Sequence, residues 1–181
     1  MIPMTAVTRE SLEVFVVEVL RAMGLSREDA DVFGDALIFS ELRFHPGHGQ
    51  GVKKLKRYQE RFSQGLIDLG ACWEVLKESP ALALVDAHNG LGTVAAARAM
   101  HLAIEKAKVC GIGQVVVRNS THFGSSAVHA CLAAEVGCIG IAFTNAGPEM
   151  APWGARESAV GTNPWGIAAP TGLGFPAVLD I

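Results

Sequence analysis

The chain has 181 residues, of which 50% are hydrophobic and 18% are charged, and its mean hydropathy is +0.30. This composition excludes a disordered chain and suffices for one domain with a core, alone or with a helical appendage. The net charge of −3 excludes the basic field that nucleic-acid binding requires. The sequence has no apolar run of membrane-spanning length and does not start like a signal peptide, so we expect a cytoplasmic protein.

The first part of the chain predicts helices. Thr8 and Ser26 each precede a run with helical apolar spacing and are suited to cap it. A third helical run, over residues 52–62, is basic on one side and ends before Gly65. It follows a glycine-rich loop at residues 44–51.

From residue 73 onward the pattern changes to alternating strands and helices. Apolar runs predict strands at 73–77, 82–86, 115–117, 139–144, 166–169 and 177–181, and helices at 95–109 and 127–136. The sequence therefore predicts an α/β protein with an N-terminal helical region over residues 1–70 and an α/β domain over residues 71–181. The apolar last strand needs cover on both sides, so we expect a neighbouring chain or a longer protein to supply it.

The four cysteines are Cys72, Cys110, Cys131 and Cys138. No two have C-x-x-C spacing, and three lie in apolar surroundings. We therefore predict buried reduced thiols rather than disulfides or zinc, and no metal site.

Residues 90–95 match the pattern G-x-G-x-x-A between a predicted strand and a predicted helix, the context of a dinucleotide-binding turn. The acidic residue expected after the next strand is missing, because Arg118 and Asn119 stand there. His88 and Asn89 also crowd the turn. We interpret the glycines as serving a tight turn and close helix packing, with classical Rossmann binding as the less favoured alternative.

The polar segment 118–126 joins a short strand to an Ala-rich helix. Ligands of open α/β sheets bind at the carboxyl ends of strands, so His122 lies where a catalytic group is expected. The ordinary pKa of histidine is near neutrality, which suits proton transfer to a carbonyl group. A single histidine is more often structural than catalytic, and from the residues alone both interpretations stay open.

A second candidate histidine, His48, lies in the glycine-rich loop. The cluster after it, Lys53, Lys54 and Arg57, could hold a substrate carboxylate or form a solvated helix face. Farther along, residues 148–154 and 161–164 form loops dense in Gly and Pro, which are often functional. Their backbone amides and the Thr162 hydroxyl could bind a phosphate or a nicotinamide amide.

Several segments in series carry a resemblance to a known family: THFG at 121–124, GIAFTNA at 140–146, MAPWG at 150–154, GTNP at 161–164 and VLD at 178–180. They resemble the type 2 malate/L-lactate dehydrogenase family, which includes malate, ureidoglycolate and sulfolactate dehydrogenases. The resemblance covers nearly the whole chain. It implies a homodimeric oxidoreductase that transfers hydride between NAD or NADP and a 2-hydroxy acid or its 2-oxo counterpart. It also implies a non-Rossmann α/β nucleotide-binding domain with a mixed sheet.

The resemblance also implies roles for individual residues. His122 matches the catalytic acid/base, and His48 matches a histidine beside the substrate. The cofactor-binding segments are matched by Thr144, Asn145, Ala146, Gly161, Thr162, Asn163, Pro164 and Asp180.

The chain departs from the family pattern in three ways. The serine before the motif histidine is Gly47, and Lys54 stands where the substrate-binding arginine is expected. Lysine supplies charge without the planar two-point grip of guanidinium. Family members are also about twice as long. Two alternatives therefore stay open: a truncated or split non-catalytic relative that needs a second polypeptide, or a keto-acid or cyclic-imine reductase of the same family.

Overall fold

The computed structural model describes residues 6–43 and 51–181. Three helices come first: α1 (Arg9–Ala22), α2 (Arg27–Leu42) and, after a 3₁₀ turn at Val52–Lys54, α3 (Leu55–Ser63). The remaining elements are β1 (Glu74–Glu78), β2 (Leu82–Asp86), α4 (Gly92–Cys110), β3 (Gln114–Arg118), α5 (Ser126–Glu135), β4 (Gly140–Phe143), β5 (Trp165–Ala169) and β6 (Ala177–Asp180). This order confirms the predicted α/β fold.

The helix starts follow the local signals in the sequence. The Thr8 side chain accepts a hydrogen bond from the Ser11 N–H at 3.2 Å, and Ser26 does the same for Asp29 at 3.1 Å. These bonds satisfy amides that have no partner within the helix. Both predicted caps are confirmed.

The strands form two sheets of three strands each. In the first sheet, of order β1-β2-β3, β1 is antiparallel to β2 and β2 is parallel to β3, with α4 as the crossover. The second sheet, of order β4-β5-β6, is antiparallel throughout. The predicted mixed sheet is therefore the first of two separate sheets.

The main hydrophobic core joins the N-terminal helices to the start of α4. Its large members include Val16, Leu20, Phe33 and Tyr58, and it extends to Leu91 and Val94. The predicted division at residue 70 is crossed by this core and stays a prediction.

A second, smaller core lies between α5 and the second sheet, and it is built from small residues: Ala130, Cys131, Ala134 and Ala168. A Cβ atom on Gly140 would lie 2.2 Å from the Ala130 carbonyl oxygen, and one on Gly166 would lie 2.9 Å from Ser126. Glycine at these positions lets α5 lie directly against the strands. The start of α5 is thereby fixed beside the end of the sheet.

The opposite face of the second sheet is apolar and open. Ile141, Phe143, Trp165 and Leu179 share this face by strand register, and Phe143 is 69% exposed. No helix among the described residues is long and apolar enough to cross a membrane.

The prediction of buried thiols is correct only for Cys131. Cys72 and Cys110 are exposed and Cys138 is half-buried, although all four are free thiols as expected. Cys72 lies in the loop before β1 and Cys110 at the end of α4, where no packed layer covers them. No group of three metal-ligating side chains occurs in the described ranges.

Candidate active site

The turn that carries His122 begins at the end of β3, where Asp86 holds it. The buried Asp86 carboxylate accepts hydrogen bonds from Arg118 Nε at 2.7 Å and Asn119 Nδ2 at 2.8 Å. A hydrogen bond from the His88 backbone N–H, helped by Arg118 and Asn119, keeps the pKa of Asp86 below its ordinary value. The charged carboxylate therefore stabilises Asn119 in its left-handed conformation, at φ +51°.

Thr121 ties the same turn to the glycine-rich turn before α4. Its hydroxyl donates to the Gly90 carbonyl at 2.9 Å and accepts from the Gly92 N–H at 3.0 Å. A Cβ atom on Gly92 would lie 2.0 Å from the Thr121 carbonyl oxygen, so only glycine fits there. Helix α4 begins at Gly92, three residues before the predicted start, because this contact holds its first turn. The geometry agrees with the interpretation of these glycines as packing residues.

His129 of α5 contacts the turn at Phe123. Its Nε2 lies 2.7 Å from the Phe123 carbonyl oxygen, and its ring stacks on Phe123 with 5.1 Å between centroids. Burial lowers the pKa of His129 to about 4, so the ring is neutral and Nε2–H donates. No role was predicted for His129, because its contact with Phe123 is defined only by the folded turn.

The Asp180 carboxylate closes the other end of the turn. Its Oδ2 accepts a hydrogen bond from Ser125 Oγ at 2.5 Å and another from the Ala127 N–H at 3.2 Å. Strand β6 is thus linked to the first turn of α5. Asp180, predicted to bind cofactor, lies at the same end of the second sheet as the His122 turn.

The His122 ring is held through one nitrogen only. Its Nδ1 lies 3.2 Å from the hydroxyl oxygen of Tyr58 and 3.2 Å from the Gly124 backbone nitrogen. Within residues 6–43 and 51–181, Nε2 has no hydrogen-bond partner. Nε2 is therefore the nitrogen available to a ligand.

The two neighbours of Nδ1 differ in what they can do. The Gly124 N–H can only donate, which requires an unprotonated Nδ1 and places the ring proton on Nε2. The Tyr58 hydroxyl can donate or accept, so it also fits a ring protonated at Nδ1. Only the latter tautomer leaves a lone pair on Nε2. Tyr58 is therefore the neighbour of Nδ1 that is compatible with a lone pair on Nε2.

A cationic pocket lies in front of this ring. It is lined by Lys54, Arg57, Tyr58, Arg61 and His122. Apart from His122, these residues recur at helical spacing between positions 54 and 61. They therefore lie on one face of α3 and of the 3₁₀ turn that precedes it. Lys54, predicted to bind the substrate, and His122, predicted to be catalytic, thus line the same pocket. His48 lies outside the described residues.

Burial and the positive charges of the pocket lower the pKa values of His122 and Lys54. Burial of the ring, followed by the charges of Lys54, Arg61 and Arg57, lowers the pKa of His122 from its ordinary value. Burial and the two arginines likewise lower the pKa of Lys54. Glu149 acts in the opposite direction on both groups. His122 is consequently neutral at physiological pH.

Sequence reasoning did not single out Tyr58 or Arg61 as site residues. Tyr58 is buried, and burial raises its pKa to about 12, so its hydroxyl stays protonated. The available signal was the spacing of Lys54, Arg57 and Arg61 on one helical face. Contact with His122, 64 residues away from Tyr58, could not be read from that spacing.

The predicted cofactor segments lie side by side at one end of the second sheet. The Thr144 N–H donates to the Pro164 carbonyl at 3.1 Å, and the Ala146 N–H donates to Asn163 Oδ1 at 2.9 Å. A Cβ atom on Gly161 would lie 2.3 Å from the Ala146 carbonyl oxygen, so glycine permits the close approach. The structure thus brings residues 144–146 and 161–164 together.

The exposed side chains of these segments suit a nucleotide. Asn145 and Thr162 are exposed and offer an amide and a hydroxyl. Such groups pair with ribose hydroxyls and with the nicotinamide carboxamide. The donor set therefore fits a nicotinamide nucleotide.

His122, whose Nε2 has no hydrogen-bond partner in the described part of the chain, thus lies after a strand of an α/β fold and beside a pocket lined by cationic side chains. The family model described as malate/L-lactate dehydrogenase matches residues 7–181, and the chain belongs to this family.

Relatives of known sequence and structure agree with this membership. The chain is 45% identical over 175 residues to a malate dehydrogenase of Pyrococcus abyssi, covering 97% of this chain and 48% of the relative. It is 38% identical over 159 residues to an L-sulfolactate dehydrogenase of Methanocaldococcus jannaschii, covering 88% and 46%. The solved malate dehydrogenase of Pyrococcus horikoshii superposes with a TM-score of 0.92 at 42% identity, covering 98% and 50%. The chain spans about half the length of these relatives.

Proposed function

We propose that the protein is a nicotinamide-dependent oxidoreductase of small 2-hydroxy acids, in which His122 transfers the proton. The observation that carries this proposal is that Nε2 of His122, which has no hydrogen-bond partner among the described residues, lies at a pocket with three cationic side chains. The family membership supports the reaction class, since the relatives are named malate and sulfolactate dehydrogenases.

In the oxidation direction, the Nε2 lone pair of His122 takes the proton of the substrate hydroxyl. The Nδ1–H of the resulting imidazolium donates to the Tyr58 oxygen, which holds the ring in place. In the reduction direction, the protonated ring polarises the carbonyl oxygen and then donates the Nε2 proton to it. Burial and the surrounding cations lower the pKa of His122, so the imidazolium is a stronger acid and donates more readily.

Lys54 holds the substrate carboxylate in this scheme. It lies in the same pocket as His122 and is half-buried. Partial removal from water strengthens the attraction between an ammonium group and a carboxylate. His48 matches the family histidine that lies beside the substrate, so it is the second proposed substrate-binding residue.

The cofactor side consists of Thr144, Asn145, Ala146, Gly161, Thr162, Asn163, Pro164 and Asp180. A bound NAD or NADP supplies the nicotinamide that accepts or gives the hydride. The amide and hydroxyl groups of Asn145 and Thr162 are free to bind it. The Oδ1 atom of Asp180 has no hydrogen-bond partner among the described residues and can accept a hydrogen bond from a ribose hydroxyl.

The family resemblance further supports a cytoplasmic homodimer and leaves NAD and NADP as alternatives. Comparing kcat/KM with NADH and NADPH decides the cofactor. Sedimentation equilibrium decides the assembly state.

The decisive test of the proposed function is His122→Ala. Loss of a general acid/base costs about 10²- to 10⁴-fold in turnover, so we expect kcat for 2-hydroxy acid oxidation to fall by that factor. The Kd for NADH, measured by fluorescence titration, should stay unchanged because the cofactor segments are separate from the ring. His101→Ala, at an exposed position on α4, is the control. Retained activity in His122→Ala would contradict the assignment.

A further inference from the structure

One hydroxyl group beside the His122 turn has no partner in the described part of the chain. Thr93, the second residue of α4, is only 1% exposed, and its Oγ1 atom is buried without a hydrogen bond. Buried hydroxyl groups are nearly always hydrogen-bonded, because water cannot reach them. The burial of Thr93 Oγ1 is therefore costly unless this oxygen serves a neighbouring group.

The start of α4 places this hydroxyl group next to the His122 ring. The preceding residue, Gly92, lies against the turn, and a Cβ atom added to it would lie 2.6 Å from the His122 carbonyl oxygen. A Cβ atom added to Gly124 would lie 3.7 Å from Thr93 Oγ1. The Gly124 nitrogen lies 3.2 Å from Nδ1 of His122. Thr93 Oγ1 is thus on the Nδ1 side of the ring.

Tyr58 lies on the same side of the ring. Its hydroxyl oxygen is 3.2 Å from Nδ1, and the residue is buried. Burial raises the pKa of Tyr58 to about 12, while the charges of two arginines and hydrogen bonding with the Thr93 hydroxyl act to lower it. The two hydroxyl groups are therefore neighbours, although the hydrogen bond between them is not closed in this structure.

The proton of the Tyr58 hydroxyl has two acceptors in this arrangement. If it points at Nδ1, the proton of the neutral His122 ring must be on Nε2. If it points at Thr93 Oγ1, the phenol oxygen presents a lone pair to Nδ1, which can then carry the ring proton. The Gly124 N–H favours the first arrangement, but it is only half-buried, so water can replace its bond. The buried phenol depends on protein partners.

We propose that Thr93 is a positioning residue, whose hydroxyl group accepts the Tyr58 proton and thereby holds the neutral His122 ring in the Nδ1–H tautomer, with the lone pair on Nε2. This inference rests on the proposed function, in which Nε2 takes the substrate proton. Thr93 contacts neither substrate nor cofactor in this role. When His122 becomes an imidazolium, the phenol oxygen accepts from Nδ1–H without a change in the direction of its own proton.

The tautomer of His122 can be measured without turnover by ¹⁵N NMR, because protonated and unprotonated ring nitrogens differ widely in chemical shift. At about pH 8 the ring is neutral, since its pKa is lowered from 6.5. We expect Nδ1–H in the wild-type protein. In Thr93→Val, where a methyl group of similar size replaces the hydroxyl, Nε2–H should become the major form. His122→Gln identifies the His122 signals among those of the six histidines.

Two further variants separate the hydroxyl group from its surroundings. Thr93→Ser keeps the hydroxyl and should keep the wild-type tautomer. Ser126→Ala removes another fully buried hydroxyl group that has no partner among the described residues, on α5, and should leave the tautomer unchanged. If Thr93→Val does not fold, Thr93→Ala serves the same comparison.

Kinetics give a second readout of the same arrangement. In Thr93→Val, kcat/KM for L-malate oxidation should fall about two- to tenfold, the range of one hydrogen bond. In a Tyr58→Phe background, Thr93→Val should cause no further loss, because Thr93 acts through the phenol. A full additional loss in that background would show that Thr93 acts by another route and would overturn the inference.

The inference and the proposed function can fail separately. A wild-type ring with Nε2–H, an unchanged tautomer in Thr93→Val, or the same change in Thr93→Ser would each overturn the inference. If the wild-type protein oxidises no 2-hydroxy acid, the proposed function fails, and the NMR comparison still decides whether Thr93 sets the tautomer. A change of tautomer in Thr93→Val that is absent from Thr93→Ser and Ser126→Ala would support it.

Discussion

The His122 turn and the segment at residues 144–164 lie at the same end of the molecule, but they are held very differently. The turn is anchored by elements distant in sequence, through Asp86, Gly90 and Tyr58, and by His129 of the helix that follows it. The hydrogen bonds of segment 144–164 that the structure describes all run within the segment itself. Its middle part, residues 147–160, is exposed throughout.

This difference matches the different demands of proton transfer and cofactor binding in the proposed reaction. A group that must place a proton within hydrogen-bond distance benefits from a rigid frame, because misplacement by one ångström is costly in rate. A segment that folds over a large ligand benefits from few external contacts, because it can adjust when the ligand binds. We expect changes in the turn to affect stability and chemistry, and changes in the segment to affect cofactor affinity.

His129, the buried anchor of the turn, is expected to separate the stabilities of the two regions most strongly. In the folded protein the pKa of His129 is about 4, below its ordinary value of 6.5. Between these two pH values the imidazole is protonated in the unfolded chain but neutral in the folded protein. Folding stability from this residue is therefore full above pH 6.5 and falls by about 3 kcal/mol as the pH drops to 4.

Denaturant unfolding at pH 7 and pH 4 measures this loss in the wild-type protein and in His129→Gln, whose amide cannot titrate. Between pH 7 and pH 4, the free energy of unfolding of the wild-type protein should fall by about 3 kcal/mol more than that of His129→Gln. His101→Gln on the exposed side of α4 should follow the wild type. Identical pH dependence in all three proteins would show that His129 is not a buried neutral anchor.

The next effect in size concerns Tyr58. Tyr58→Phe keeps the ring packed on Phe33, at 4.6 Å between centroids, but removes the acceptor that permits an Nδ1–H tautomer of His122. We expect kcat/KM for oxidation to fall about tenfold, the value of one hydrogen bond of about 1.4 kcal/mol. The melting temperature and the Kd for NADH serve as controls and should change little. Wild-type kcat/KM in the variant would remove Tyr58 from the proton-transfer side.

The smallest effect is expected in segment 144–164. In Gly161→Ala the new Cβ meets the Ala146 carbonyl oxygen, so the two cofactor segments must separate. The Kd for NADH should rise about fivefold, equivalent to about 1 kcal/mol, while the unfolding midpoint stays near that of the wild type. Gly172→Ala is the matched control, because its added Cβ meets nothing within 4 Å. A large loss of stability in Gly161→Ala would contradict the expectation that changes in this segment affect cofactor affinity rather than stability.

The sequence predicted best what local chemistry decides. Thr8 and Ser26 cap their helices because the capping residue and its target amide are three positions apart. His122 could be chosen because it combines a strand end, a polar turn and a family motif. The division of the strands into two sheets was not predicted, since strand pairing depends on contacts between distant segments.

The contacts of Tyr58 and His129 escaped prediction for the same physical reason. Each depends on a partner defined by tertiary packing, such as the contact of Tyr58 with His122 across 64 positions. The misjudged exposure of Cys72 and Cys110 has the opposite origin. Their apolar sequence neighbours indicated burial, but a loop and a helix end leave the thiols uncovered.

The bond between Asp180 and the first turn of α5 has a consequence for nucleotide binding. The amino end of a helix carries a partial positive charge that attracts phosphate in many dinucleotide-binding proteins. In this protein a carboxylate from β6 already occupies that end through the Ala127 amide. A pyrophosphate placed there would face a like charge. The diphosphate of the proposed cofactor would therefore need a counter-charge away from α5, whereas in a Rossmann protein the helix end itself provides it.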